Sequence, residues 1–287
     1  MDDKRIIRFD YAMKRMLRDK ANFAILEGLI QVLTGRKLRI VEILESEGNQ
    51  YDKDDKYNRV DIMAKDQSDD IIIVEVQLTR QRHYYERILY GTSKAIVDHI
   101  SLGEGYEKVK KVYSINILYM NFGEGNDYLY HGTTKFIGVH THDQLNLSDK
   151  ENGAIVTKTA ADIFPEYYII RVNEFNDMAT TPLEEWMDYL KNARIRPDTT
   201  TPGLQEAREK LNILRMNHQE RLAYERVLIG QMNENESFET ARHDGFEEGL
   251  EEGRRKAIKE MTQRLIDAGI DPKVIAKATG TTPIPTA

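Results

Sequence analysis

Apolar residues recur at helical spacing through FDYAMKRMLRDKANFAILEGLIQVLTG, and Thr34-Gly35 is a plausible stop, so residues 9–35 predict a helix. The period then changes. KLRIVEILES reads as a strand and YDKDDKYN as a polar, turn-rich loop. RVDIMAK and DIIIVEVQLT are two further strands, and the Asp-Gln-Ser-Asp connection between them suits a hairpin. QRHYYERILYGTSKAIVDHI returns to helical spacing through Tyr85, Ile88, Leu89 and Ile96. GEGYEKVKK is a loop, KVYSINILYMNF a β-rich run, DYLYHGTTKFIGVHTHD a strand pair and YYIIRVNEF a short strand. A helix starts at TPLEEWMDYLKN: Thr181 can cap it, Pro182 suits its first position and Glu184 completes a capping box.

After RIRPDTTTPG the composition shifts toward helix formers. The pattern predicts a domain over residues 1–195, a linker over 196–203 and a helical accessory tail over 204–287. In the tail, Ala207, Leu211, Leu214, Leu222, Ile229 and Met232 keep a rough heptad phase with gaps. Gly245, Gly249 and Gly253 recur every fourth residue, where each costs a helix about 1 kcal/mol against alanine. Close approach of a second helix would offset that cost, and a solvated segment is the other reading. RLIDAGIDPKVIAKATG reads as helix, turn and short helix, like the first two helices of a helix-turn-helix unit. Pro283 and Pro285 oppose a reading helix after it.

With 287 residues the chain can bury a full core, and 31% charged against 40% hydrophobic residues is a soluble globular composition. No apolar run approaches the roughly 20 residues of a spanning helix, so no membrane partner is expected. The absence of cysteine excludes disulfides, thiolate zinc sites and cysteine nucleophiles. MDDKRIIRFDYAMKRM lacks a signal-peptide core, and cytoplasmic residence is the expectation. The net charge of -7 argues against a nucleic-acid coat protein, but the basic stretch RFDYAMKRMLRDK leaves room for a local phosphate-binding face.

The chemistry concentrates in NRVDIMAKDQSDDIIIVEVQ. Side chains alternate along a strand, so Glu75 and Gln77 share a face with Ile71 and Ile73, while Ile72, Val74 and Val76 line the other. A strand apolar on both faces is a covered strand. A lone carboxylate there costs several kcal/mol or takes up a proton. If RVDIM pairs with DIIIVEVQ, Asp61 comes close to Glu75, and a divalent cation would relieve both burial and repulsion. Oxygen ligands favour Mg²⁺, which can polarise a phosphodiester and acidify a bound water. The competing reading is a structural ion pair, for which Arg59 lies on the face of Asp61.

These residues resemble the PD-(D/E)XK nuclease superfamily, and more closely its branch of PD-(D/E)XK nuclease family transposases, also called recombination-promoting nucleases. Asp10 and Lys14 in FDYAMK resemble the D-x-x-F-K helix of that branch, with Met13 in place of Phe. Asp61 matches its core Asp, Glu75 and Gln77 its E-x-Q, and Arg87 and Tyr90 its R-x-x-Y helix. GYEKVKKVYSINIL and PLEEWMDYLK complete the order. The resemblance implies an α/β restriction-endonuclease-like core, a mixed sheet flanked by helices, followed by the helical tail. It implies a Mg²⁺-dependent DNA endonuclease of the recombination-promoting, transposase-associated type. Asp61 and Glu75 would hold Mg²⁺ or another divalent cation, with the backbone carbonyl of Val76 as a third ligand.

Gln77 stands where other members of the superfamily carry a lysine. It can orient a water but brings no charge. Asp10 would add an acid, or be a surface charge of its helix; Lys14 and Arg87 would touch phosphate, or pack against neighbouring carboxylates; Tyr90 is more often a core aromatic with a wet hydroxyl than a catalyst. DNA is the expected partner, with a homodimer through the helical tail. The rival function is a catalytically weak nuclease-like domain that binds DNA or a protein. His131, His140 and His142 with an Asp could form a zinc set, but an exposed polar strand is the better reading of HTHD.

Overall fold

A computed structural model describes residues 6–17, 19–44, 61–101, 103–151 and 154–280. The chain divides into two compact units, Met1–Asn217 and His218–Ala287.

The first unit is built on a six-stranded mixed sheet. Its strands are β1 (Ile40–Leu44), β2 (Ile62–Asp66), β3 (Ile71–Gln77), β4 (Val112–Leu118), β5 (Leu129–Gly132) and β8 (Glu166–Arg171), in the order β1-β2-β3-β4-β8-β5. β1, β2 and β3 pair antiparallel, β3, β4 and β8 run parallel, and β5 returns antiparallel on β8. The β2–β3 connection is a tight hairpin. Asp66 Oδ1 accepts from the N–H groups of Ser68 (2.8 Å) and Asp70 (2.9 Å), and Asp69 takes a left-handed φ of 65°. An Asp that bonds its own backbone downstream is the turn chemistry expected of DQSD. β6 (Asn146–Glu151) and β7 (Ala154–Thr159) form a separate two-stranded antiparallel hairpin.

Parallel β3 and β4 need a crossover, supplied by α3 (Tyr84–Asp98). The helix lies on the face that carries Glu75. Its Ala95 packs with Ile71, Ile73 and Val112, and its Tyr84 and Ile88 pack with Leu118, Met120 and Ile169. The opposite face is equally buried: Ile72, Val74, Ile115, Ile117 and Ile170 are at most 1% exposed. A sheet covered on both sides accounts for strands as apolar as IIIV and INIL.

The remaining helices of this unit are α1 (Phe9–Arg15), α2 (Phe23–Thr34), α4 (Pro182–Asn192) and α5 (Leu204–Lys210). The Phe9 ring meets Trp186 and Tyr189 edge-on at 6.0 and 5.8 Å. The expected helix over 9–35 is interrupted between α1 and α2. Asp19 accepts from the Ala21 N–H at 2.9 Å and the Asn22 amide donates to the Met16 carbonyl at 2.8 Å, so these side chains compete with helical bonding. α4 starts with the expected capping box, Thr181 and Glu184 bonding each other's backbone N–H at 3.3 and 2.9 Å.

Residues 196–203, expected as a linker, are built into the first unit. Thr201 Oγ1 donates to Glu185 at 2.9 Å, Thr199 bonds the same carboxylate, and Trp186 Nε1 donates to the Pro202 carbonyl at 3.1 Å. Gly28 of α2 admits this crossing: a Cβ there would collide with the backbone of Pro202 and Gly203. α5 packs on α2 and buries Leu204, Ala207 and Leu211, which places the unit boundary at Asn217.

In the second unit, α6 (His218–Asp267) runs 50 residues, about 75 Å at 1.5 Å per residue. α7 (Pro272–Thr279) is capped by Asp271, which accepts from Lys273 N–H at 2.7 Å, and it packs on α6. Gly245, Gly249 and Gly253 face open space, with no atom within 4 Å of an added Cβ among the described residues.

Candidate active site

The β2–β3 register pairs Ile62 with Val74, and one step further it sets Asp61 opposite Glu75 on the same face. Asp61 stands where β2 begins, and its Oδ2 accepts the Val76 N–H at 2.7 Å. In a strand the N–H and C=O of one residue point to the same edge, so the Val76 carbonyl also turns toward the Asp61 side.

Glu75 is 5% exposed. Arg87, one turn into α3, donates to its Oε1, and the same guanidinium bonds the side-chain oxygen of Gln81. The Tyr84 hydroxyl lies 3.5 Å from Glu75 Oε2 and 3.2 Å from Asn116 Oδ1. Burial raises the Glu75 pKa above the ordinary carboxylate value. The Arg87 charge opposes that rise and the nearby Asp61 charge adds to it. Burial, then the Glu75 charge, raises the Tyr84 pKa as well, which keeps that hydroxyl a donor. Glu75 is therefore a buried carboxylate tied on one oxygen by a guanidinium and only weakly engaged on the other. The sequence reading offered Arg59 as the ion-pair candidate for Asp61. Arg59 lies outside the described residues, and the pairing seen is between Glu75 and Arg87.

Gln77 sits two residues on, half-buried on the same face. Its amide donates to the Thr79 carbonyl at 2.9 Å, which leaves its Oε1 as the end able to accept from a water. Asp10 is buried in α1, where Arg8 forks it at 3.0 and 3.3 Å. Its charge is felt at Tyr119, just past β4. There burial, reinforced by the Asp10 charge, raises the Tyr119 hydroxyl pKa, and Arg8 lies over the ring. Leu118 and Met120 pack on α3 while the Tyr119 hydroxyl between them donates to the Leu190 carbonyl of α4 at 2.8 Å, so this contact does not bring Asp10 to Glu75 and Gln77. Lys14 lies in α1 with its side chain outside the described residues. Tyr90 is on the exposed side of α3.

Two polar residues that sequence reasoning passed over complete the cluster. Asn116, fully buried, pairs with Glu75 across β3–β4, and its amide donates to Ser114 Oγ at 3.0 Å. Tyr84 joins it to Glu75. The signal for Asn116 was that of Glu75 itself, a polar residue inside an apolar strand, VYSINIL. His131 stacks on Tyr168 at 4.5 Å, while His140 and His142 fall in the turn between Ile137 and Gln144, His142 with φ 57°. Among the described residues no three His, Cys, Asp or Glu side chains converge as a metal cage. A dication at this site would rest on two carboxylates, backbone and water, the donor set Mg²⁺ favours over an all-protein cage.

A mixed six-stranded sheet flanked by helices, with an Asp at the head of one strand opposite an E-x-Q in the next, defines a PD-(D/E)XK nuclease-like α/β fold. The sequence profile of the PD-(D/E)XK nuclease family transposases matches residues 7–241, and the chain belongs to that family. No curated protein and no solved structure matches the chain. Among the described residues no helix is long and apolar enough to cross a membrane.

Proposed function

We propose that this protein is a Mg²⁺-dependent DNA endonuclease acting in recombination or on mobile DNA, with the site at Asp61, Glu75 and Gln77. The observation that carries the proposal is the placement of Glu75: a carboxylate buried in a central strand, opposite Asp61, in a family of nucleases. Asp61, Glu75 and the Val76 carbonyl would hold the ion, which supplies Lewis acidity toward a phosphodiester and lowers the pKa of its water. Gln77 orients the attacking water through Oε1. Arg87 would exchange its hold on Glu75 for a phosphate oxygen, since a guanidinium binds both in the same forked geometry. Tyr84 would keep the Glu75 carboxylate oriented.

The test is nicking of supercoiled plasmid with Mg²⁺, comparing wild type with Asp61→Ala and Glu75→Ala. Loss of cleavage in both variants is the expected result, and equal cleavage by all three proteins would discredit the site.

Two observations favour a second reading, a nuclease-like domain of weak activity that binds DNA or a protein. Gln77 carries no positive charge, and Glu75 already has a partner in Arg87. A wild type that never cleaves yet binds DNA in a salt-sensitive way would select it. Residence in the cytoplasm and pairing of two chains through α6 belong to the same proposal. The second is read by mass measurement before and after truncation at Asn217.

A further inference from the structure

Beside α3, on the face of the sheet that carries Glu75, lies a groove of about 390 Å³ walled by Tyr85, Leu89, Tyr130 and Tyr167 and closed below by Ile169. Tyr85 and Leu89 are 61% and 58% exposed, and Tyr130 is 38% exposed. Isolated exposed apolar residues need no explanation, but three tyrosines around one concavity form a patch that asks for an occupant. Tyr167 is pinned from behind, its hydroxyl 3.0 Å from Thr92 Oγ1, so its ring is a fixed wall.

The groove and the acidic site share one face of the sheet and are joined beneath the surface in two ways, through the buried Asn116 and the buried Tyr84. Across the sheet, a single transverse row runs Glu75, Asn116, Ile169, Tyr130. Three inter-strand steps put Tyr130 roughly 14 Å from Glu75, the reach of a few nucleotides. Through side chains, Tyr84 touches Glu75, Phe122 meets Tyr84 edge-on at 5.4 Å, and Tyr85 meets Phe122 at 5.0 Å. Two cations beside this path suit an anion: the segment from Leu78 to His83, which joins Gln77 to α3, carries exposed Arg80 and Arg82, while its His83 lies 3.5 Å from the Glu86 carboxylate.

We infer that this groove is a stacking subsite for an unpaired base of the nucleic acid whose backbone lies at Asp61 and Glu75, with Arg80 and Arg82 on the intervening phosphates. The inference rests on the nuclease reading of that site. Bases inside a duplex have both faces covered by their neighbours, so a groove lined by tyrosine rings admits only a base that is single-stranded or turned out of the helix. The substrate class it implies is single-stranded or locally opened DNA, in preference to intact duplex.

The experiment is fluorescence anisotropy of labelled single-stranded oligothymidylate and of a matched duplex, in EDTA at low salt, with wild type, Tyr85→Leu and Tyr85→Trp. Plasmid nicking in Mg²⁺ by wild type and Glu75→Gln is measured in parallel. Leucine keeps the wall apolar and removes its π face; tryptophan keeps both. The expected result is a single-strand affinity about five- to hundredfold weaker in Tyr85→Leu, retained in Tyr85→Trp, with duplex binding unchanged. Equal single-strand binding by wild type and Tyr85→Leu overturns the inference, as does no single-strand binding by the wild type or an equal loss for both probes. The two readings separate cleanly. Tyr85-dependent binding without any metal-dependent nicking retires the nuclease and keeps the groove. Nicking that requires Glu75, with binding indifferent to Tyr85, does the reverse.

Discussion

Replacing Arg87 with methionine isolates the electrostatics of the strand acid, because methionine keeps much of the stem packing and removes the guanidinium. Glu75 is almost fully buried, while the Arg87 side chain is 30% exposed. Breaking a fully buried pair costs about 3–5 kcal/mol. Two features lower that figure. Water can reach the position Arg87 vacates, and Glu75 can take up a proton, which burial already favours. The expected loss at neutral pH is about 1–3 kcal/mol.

The pH dependence carries the sharper signature. A carboxylate whose pKa is higher in the folded protein than in the unfolded chain binds its proton more tightly when folded. Its contribution therefore falls as pH rises from the ordinary carboxylate value to the raised one, by about 1.4 kcal/mol per pH unit inside that window. Removing Arg87 takes away the charge that holds the value down, so the window extends upward in the variant. Urea melts of wild type and Arg87→Met should lie closest at acid pH, where Glu75 is protonated in both states, and separate as pH rises. At acid pH the residual gap reflects the bond to Gln81 and the stem packing. In a Glu75→Gln background the pH-dependent part should vanish. A gap that is constant with pH, or that persists in that background, refutes the coupling.

Gly28→Ala should cost about 1–3 kcal/mol in thermal or urea unfolding, since the new Cβ meets the Pro202–Gly203 backbone, which cannot step aside as a flexible side chain would. Thr181→Ala should cost about 1 kcal/mol by removing the oxygen that caps the Glu184 N–H of α4, read as a lower urea midpoint with an unchanged slope. Gln77→Ala should slow plasmid nicking about tenfold with metal affinity unchanged by calorimetry, one lost hydrogen bond to an oriented water; an unaltered rate would remove Gln77 from the chemistry.

What the sequence disclosed, and what it did not, follows from the range of the interactions involved. The β2–β3 hairpin and the opposition of Asp61 and Glu75 were legible because a short Asp-rich turn sets a register that alternation then propagates. The capping box of α4 was legible for the same local reason. The break between α1 and α2 was hidden, because apolar spacing continues through Met16 and Leu17 while the deciding bonds come from Asp19 and Asn22 side chains. The β6–β7 hairpin was missed although Asn152-Gly153 is a strong turn signal, since its strands NLSDKE and AIVTKT are too polar to announce a core. Residues 196–203 looked like a linker by composition, yet two of their threonines are buried on Glu185. Arg87 as the partner of Glu75 depends on how α3 lies across the sheet, which no local pattern encodes.

The same geometry separates a site from an ordinary ion pair by stability alone. A pair kept for the sake of the fold should lose stability when either member is neutralised. At Glu75 the burial that raises its pKa outweighs the help from Arg87, so the ionised acid works against folding at neutral pH. Glu75→Gln removes that penalty, keeps an acceptor oxygen for Arg87 while its NH2 donates to the Tyr84 hydroxyl, and should leave the protein at least as stable as the wild type near pH 7. Stability kept or gained in Glu75→Gln would mean that the acid is not retained for the fold, as the proposed catalytic role requires. If Glu75→Gln instead melts well below wild type at pH 7 while Arg87→Met does the same, the two residues act as a structural unit and the argument for a catalytic acid loses its physical basis.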